Sequence, residues 1–217
     1  MSASTTGPPD VVSVTQDPDA AREAPAIGPS NTTDVTDAAA SLVVVDPASY
    51  VIEGEYARGG LGRVLLAHDA RLGRTVALKE ILSPSPAAVA RFVREARITA
   101  RLQHPAIVPV YESGRWPTGE PFYAMRLVRG QSLAAAVART RGLAERLALV
   151  PNLVAVADAV AYAHSRRVIH RDLKPENVLV GAFGETVVID WGLARNLDED
   201  DAEASRSPRR RATCRST

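Results

Sequence analysis

Apolar and polar positions divide this chain into three stretches. Residues 1–46 are rich in Ala, Pro, Ser, Thr and Asp, carry the breakers Gly7-Pro8-Pro9 and Gly28-Pro29, and hold few large apolar residues before Leu42. Such a composition cannot offset the entropy of ordering it, so a disordered leader is expected, with a regulatory phosphorylation tail as its functional rival. From Tyr50 onward the pattern changes. Val51-Ile52, Val64-Leu65-Leu66 and Val76-Ala77-Leu78 are β-prone, and Arg58-Gly59-Gly60 and Arg71-Leu72-Gly73-Arg74 separate them. That spacing predicts three strands joined by tight turns. Residues 87–102 carry Val89, Phe92, Val93, Ala96 and Ala100 at helical spacing, and His104-Pro105 closes the helix. Residues 107–111 and 122–128 predict two more strands around the turn Trp116-Pro117-Thr118-Gly119. Five strands and one helix make a compact small lobe, set at residues 47–128.

Beyond it helices dominate. Residues 132–140 are Ala-rich and helical, and residues 147–164 predict a longer helix with Pro151 in its first turn. Brief β-prone pieces at 168–169, 178–180 and 186–189 frame a polar loop, with 181–185 as a hairpin turn. This stretch, 129–195, reads as the start of a second, helical lobe. After Gly192 come four acids at 198–201 and an Arg/Ser-rich tract at 205–217 without apolar periodicity, so 196–217 is expected to be a disordered charged tail. No repeat occurs at the periods of solenoids or propellers.

Composition narrows the partners. Of 217 residues, 46% are hydrophobic and only 5% aromatic, so the core is built from Ala, Val and Leu. With 26 basic and 25 acidic residues the net charge is +1, which gives no field to attract nucleic acid or an anionic membrane. The single cysteine, Cys214, excludes a disulfide framework and a zinc cluster, and a reducing cytoplasm is the simplest location. No apolar run approaches the roughly 20 residues of a membrane span, and the first residues lack a secretory pattern.

The candidate chemistry lies between the strands and in the polar loop. Ala57-Arg58-Gly59-Gly60-Leu61-Gly62-Arg63-Val64 could fold its backbone N–H groups over nucleotide phosphates, since glycine presents no Cβ to block the approach; an ordinary hairpin turn is the competing reading. Seventeen residues beyond Gly62, Lys79 ends the run Val76-Ala77-Leu78-Lys79 on the third strand, where its ammonium could reach phosphate oxygens or simply face solvent. Glu95 lies inside the helix and could pair with Lys79, although helix carboxylates are usually solvated. The decisive element is His170-Arg171-Asp172-Leu173-Lys174-Pro175-Glu176-Asn177, followed thirteen residues after Asn177 by Asp190-Trp191-Gly192. That order, after a glycine loop and a strand lysine, is highly specific.

Over residues 50–195 the sequence resembles the bacterial eukaryotic-type serine/threonine protein kinases. The resemblance implies an α+β, protein-kinase-like fold with a complete small β-rich lobe and an incomplete helical large lobe. It implies that Asp172 orients or accepts the proton of a substrate Ser or Thr hydroxyl and that Lys174 stabilises charge on the transferred phosphoryl group. Lys79 with Glu95 would position the α and β phosphates of ATP, and Asn177 and Asp190 would hold Mg²⁺. Gly59, Gly60 and Gly62 would cover the phosphates. Met125 would stand at the back of the adenine pocket, the backbone of Arg126 through Val128 would meet the adenine edge, and Val64, Ala77 and Leu179 would close over the ring. The implied partners are ATP and a protein carrying the Ser or Thr; nucleic acid and a membrane segment are not expected. His170 is expected to pack near Trp191 rather than act as a base.

Three features depart from that family. Ala57 replaces the first loop glycine and Trp191 the usual Phe, both compatible with the fold. Only 25 residues follow Gly192, and no Ala-Pro-Glu-like segment is among them. The expectation is therefore a truncated kinase of impaired activity; a non-catalytic ATP-binding or interaction module is the alternative.

Overall fold

The computed structural model describes residues 41–59 and 62–198. Five antiparallel strands open the fold: β1 (Tyr50–Arg58), β2 (Gly62–Asp69), β3 (Arg74–Ile81), β4 (Val110–Arg115) and β5 (Pro121–Arg126), in the spatial order β1-β2-β3-β5-β4. Helix α1 (Pro86–Arg101) connects β3 to β4. It starts where expected because the Ser85 side chain accepts the Ala88 N–H and Pro86 takes the first turn. Strand alternation divides the sheet's two faces. Leu65, Ala67, Val76, Leu78, Phe122 and Ala124 form an outer core with Val45 and Tyr50, and Trp116 stacks on Phe122 at 4.0 Å. Ile81 and Tyr123 pack on the other face against Phe92 and Ala96 of α1.

The second half comprises β6 (Gly130–Ser132), α2 (Leu133–Arg139), α3 (Leu143–Leu147), α4 (Val150–Ser165), β7 (Val168–Ile169), β8 (Val178–Gly181), β9 (Thr186–Val188) and β10 (Arg195–Asn196). The order β6-β8-β9 makes one small sheet, and β7 pairs with β10. Val156, Ala159 and Ala163 of α4 share a core with Ile98 of α1, Val178, Val188 and Trp191, so the two halves are packed through one cluster.

Several expectations shift. The expected strand at 107–111 starts only at Val110; Pro109, lacking an N–H, interrupts it, and Ile107 bridges instead to Val188. The strand expected to reach Val128 ends at Arg126, where the chain leaves the sheet. The long helix starts at Val150 rather than 147, with Pro151 in its first turn as expected, and the short α3 precedes it. The stretch Leu143–Ser165 is nevertheless 23 residues long and apolar enough to cross a membrane by length and composition, which corrects the expectation that no run approaches that length. It carries the packed residues just named. The expected leader ends earlier than residue 46: Val45 is buried and its N–H donates to Arg115 O, because the outer core needs an apolar side chain there. The leader's first 40 residues and the tail from 199 lie outside the described residues.

Candidate active site

Lys79 lies on β3, flanked by β2 and β5, one residue out of phase with the outer core, so it points to the α1 side. There its Nζ meets Glu95 Oε1 at 2.5 Å and Asp190 Oδ1 at 3.7 Å. Glu95 is buried on α1 and also accepts the Tyr123 hydroxyl at 2.7 Å. A buried carboxylate is tolerated only with such partners. Burial by itself lowers the Lys79 pKa, but Glu95 and Asp190 outweigh it and leave the value above the ordinary one, so the ammonium stays charged. Burial and the adjoining Glu95 charge push the Tyr123 phenol far up, and it stays a hydrogen-bond donor.

The polar loop hangs between β7 and β8. His170 is buried 4.6 Å from the Trp191 ring, its Nδ1 accepts the Asp172 N–H at 3.3 Å, and Nε2 faces Ile189 O at 3.3 Å. This network assigns the proton to Nε2. Burial lowers the His170 pKa against the opposing pull of Ile189 O, Asp190 and Asp172, so the ring is neutral and structural, as expected. Asn177 donates from Nδ2 to both Asp172 O, at 2.8 Å, and Asp172 Oδ2, at 3.1 Å. Lys174 Nζ lies 3.2 Å from Asp172 Oδ2. Arg171 and Asp190 adopt left-handed backbone conformations, with φ of 69° and 60°. Such conformations cost roughly 1–3 kcal/mol each and persist only where the surroundings enforce them.

Asp190 and Gly192 close the site from below. A Cβ on Gly192 would sit 3.1 Å from Glu95 Oε2 and 3.2 Å from Asp190 Oδ1, so the glycine lets the three groups converge. Arg91 and Arg94 of α1 donate to the carbonyls of Gly192 and Ala194, tying this segment to the helix that carries Glu95.

Where the resemblance puts the adenine pocket, Ala77 pairs with Met125 across β3 and β5, and Met125, Val128 and Leu179 pack with Val108, Val187 and Ile189. Val64 lies opposite Lys79 on β2. Arg126 donates its N–H to Pro109 O, and Val128 O accepts the Tyr56 hydroxyl. The glycine turn is closed by Gly59 N–H to Gly62 O at 2.8 Å, while Gly60 lies outside the described residues. A Cβ on Gly62 would stand 2.4 Å from Glu80 O, so sheet packing alone already requires glycine there.

Lys79, Glu95 and Asp190 thus meet from separate elements, Asp172, Lys174 and Asn177 gather in the polar loop, and the protein kinase domain family matches residues 50–212. The chain belongs to the protein kinase family. The serine/threonine-protein kinase PknD of Protochlamydia amoebophila is 38% identical over 169 residues, 71% of this chain and 17% of that protein. PknD of Chlamydia muridarum is 44% identical over 151 residues, covering 63% of this chain and 16% of its own length. PknD of Chlamydia trachomatis serovar D is 41% identical over 168 residues, with 68% and 18% covered. The kinase chain therefore spans less than a fifth of these relatives.

Kinases of this family use ATP with a divalent metal ion, and the donor set here fits. Both Asn177 amide hydrogens turn to Asp172, which leaves its amide oxygen available as a ligand atom, and the Asp190 carboxylate is half-exposed. No group of three His, Cys, Asp or Glu able to hold a metal occurs among the described residues. Two oxygen donors plus nucleotide phosphates suit an ion that keeps much of its own water. Tyr123, Tyr56, Arg91 and Arg94 escaped the sequence reading. Their partners lie 28 to 101 residues away, at separations that periodicity does not report.

Proposed function

We propose that this chain is the nucleotide-binding and catalytic-loop part of a serine/threonine protein kinase that transfers the γ-phosphate of ATP to a protein Ser or Thr hydroxyl. One observation carries the reading: the Lys79–Glu95 pair, with Asp190 3.7 Å from the same ammonium, is already assembled. In this reading Lys79 binds the α and β phosphates, and Asp190 and Asn177 hold Mg²⁺. Bound Mg²⁺ neutralises charge on the phosphate oxygens. Asp172 takes the hydroxyl proton as the substrate oxygen bonds to the γ-phosphorus and the bond to the ADP oxygen breaks. Lys174, beside Asp172, offsets charge on the phosphoryl oxygens. Gly59, Gly60 and Gly62 cover the phosphates. Val64, Ala77, Met125, Val128 and Leu179 enclose the purine, with the backbone of Arg126 through Val128 at its edge. The names of the relatives support Ser/Thr specificity, and so does Lys174 in the Asp-Leu-Lys-Pro-Glu-Asn run. A cytoplasmic placement of this domain accords with its need for ATP and its lone cysteine.

A second reading, binding of ATP without efficient transfer, is favoured by the exposure of Leu143, Leu147, Leu153 and Val154 on α3 and α4, which leaves the Asp172 half thinly packed. Radiolabelled transfer to a generic basic protein, with and without Mg²⁺, tests both. The kinase reading expects Mg²⁺-dependent transfer that Lys79→Ala abolishes. Nucleotide binding without any transfer selects the second reading, and neither binding nor transfer overturns both.

A further inference from the structure

The register of β1 against β2 shifts at two places, and at the second Glu55 pairs with Leu65 and Ala57 with Val64, so Tyr56 has no opposite residue. It is the extra residue of a β-bulge, a device that turns a side chain out of the strand's alternation. The turned side chain crosses to a distant part of the chain. Its hydroxyl donates to Val128 O at 3.3 Å, 72 residues away.

The two ends of this bond differ in stiffness. Val128 is buried with Val108 and Val187, so its carbonyl is fixed. Tyr56 instead precedes the glycine turn, which is closed by the Gly59–Gly62 bond and adjoins Val64 through the Ala57 pair. Val64 and Val128 are both assigned to the purine under the kinase reading. A half-buried phenol that joins the strand beside one to the carbonyl of the other stands across the edge of the cleft. Burial raises the phenol's pKa against the nearby Arg129 charge, so the hydroxyl remains a donor at neutral pH.

We propose that Tyr56 is a latch on the nucleotide cleft: its bond to the Val128 carbonyl opens when a purine enters, and its ring then covers the bound base. This rests on the nucleotide-binding reading above. Removing the hydroxyl while keeping the ring removes only the latch. Removing the ring also uncovers the base.

Stopped-flow binding of a fluorescent ATP analogue to the full chain with Mg²⁺ tests this, using wild type, Tyr56→Phe, Tyr56→Ala and Lys79→Ala. Tyr56→Phe is expected to speed association about 2- to 5-fold, the value of one long neutral hydrogen bond. Tyr56→Ala is expected to associate at least as fast and to release the analogue faster than Tyr56→Phe. Melting curves read alongside verify that the variants fold. Binding in wild type that Lys79→Ala weakens, with association unchanged in Tyr56→Phe, overturns the latch and leaves the nucleotide site standing. Binding seen only in the Tyr56 variants supports the latch in its strongest form. Failure of every variant to bind overturns the nucleotide reading, and the latch falls with it.

Discussion

In the small lobe, Lys79 sits on a strand paired on both sides, with a closed outer core behind it and α1 in front. In the catalytic loop, Asp172 sits between two short strands, held by Asn177, Lys174 and a buried neutral histidine. The first support is mainly apolar packing, and the second is mainly hydrogen bonds and enforced left-handed backbone. The helical layer behind the second is thin: α4 buries Val156, Ala159 and Ala163 but leaves Leu153 55% and Val154 54% exposed. Positioning by packing survives the loss of a polar partner, whereas positioning by a polar network does not, because each unpaired buried group carries its full desolvation cost.

The largest effect expected from this contrast lies in the loop. Asp172→Asn keeps the shape but cannot take a proton, so phosphoryl transfer should fall by about 10²- to 10⁴-fold with ATP affinity unchanged. Transfer undiminished in that variant would remove Asp172 from the mechanism.

The packing side of the comparison is tested by stability. Phe122 is fully buried between Trp116 and Tyr50, so Phe122→Ala should cost about 3–5 kcal/mol. Leu153→Ala, on the exposed face of α4, should change stability by less than about 0.5 kcal/mol. Urea unfolding of both variants measures this. Equal losses would mean that the α4 face is covered in solution.

A smaller effect is expected where the two supports meet. Tyr123→Phe removes one of the two hydrogen bonds to Glu95 and should lower stability by about 1–3 kcal/mol. Calorimetric titration should then show weaker MgATP binding, since Glu95 is less firmly held against Lys79. Unchanged affinity would show that Lys79 alone fixes Glu95.

The smallest expected effect is a pH dependence from His170. Its folded pKa is lowered, chiefly by burial, so the unfolded ring binds a proton more readily than the folded one. The stabilisation is fully present above the ordinary value of 6.5 and is lost as pH falls below it toward the lowered folded value. Urea midpoints taken between about pH 7.5 and 5 should decline for wild type and decline less for His170→Gln. Identical slopes would place the acid sensitivity elsewhere.

The sequence by itself determined the elements and the residues that carry chemistry. Strand alternation and the 3.6-residue period are local, so the five strands and α1 were legible to within a few residues. The spacing of Lys79, Asp172, Asn177 and Asp190 is likewise written along the chain. Where Pro109 interrupts a pattern, the apolar period overruns the strand that forms. Only the tertiary structure decided that Tyr123 shares Glu95 with Lys79, that Arg91 and Arg94 hold the Gly192 and Ala194 carbonyls, that Val45 joins the outer core, and that a bulge sends Tyr56 to Val128. Those contacts close over tens of residues. Their geometry depends on how the sheet, α1 and the catalytic loop pack, which no local period encodes.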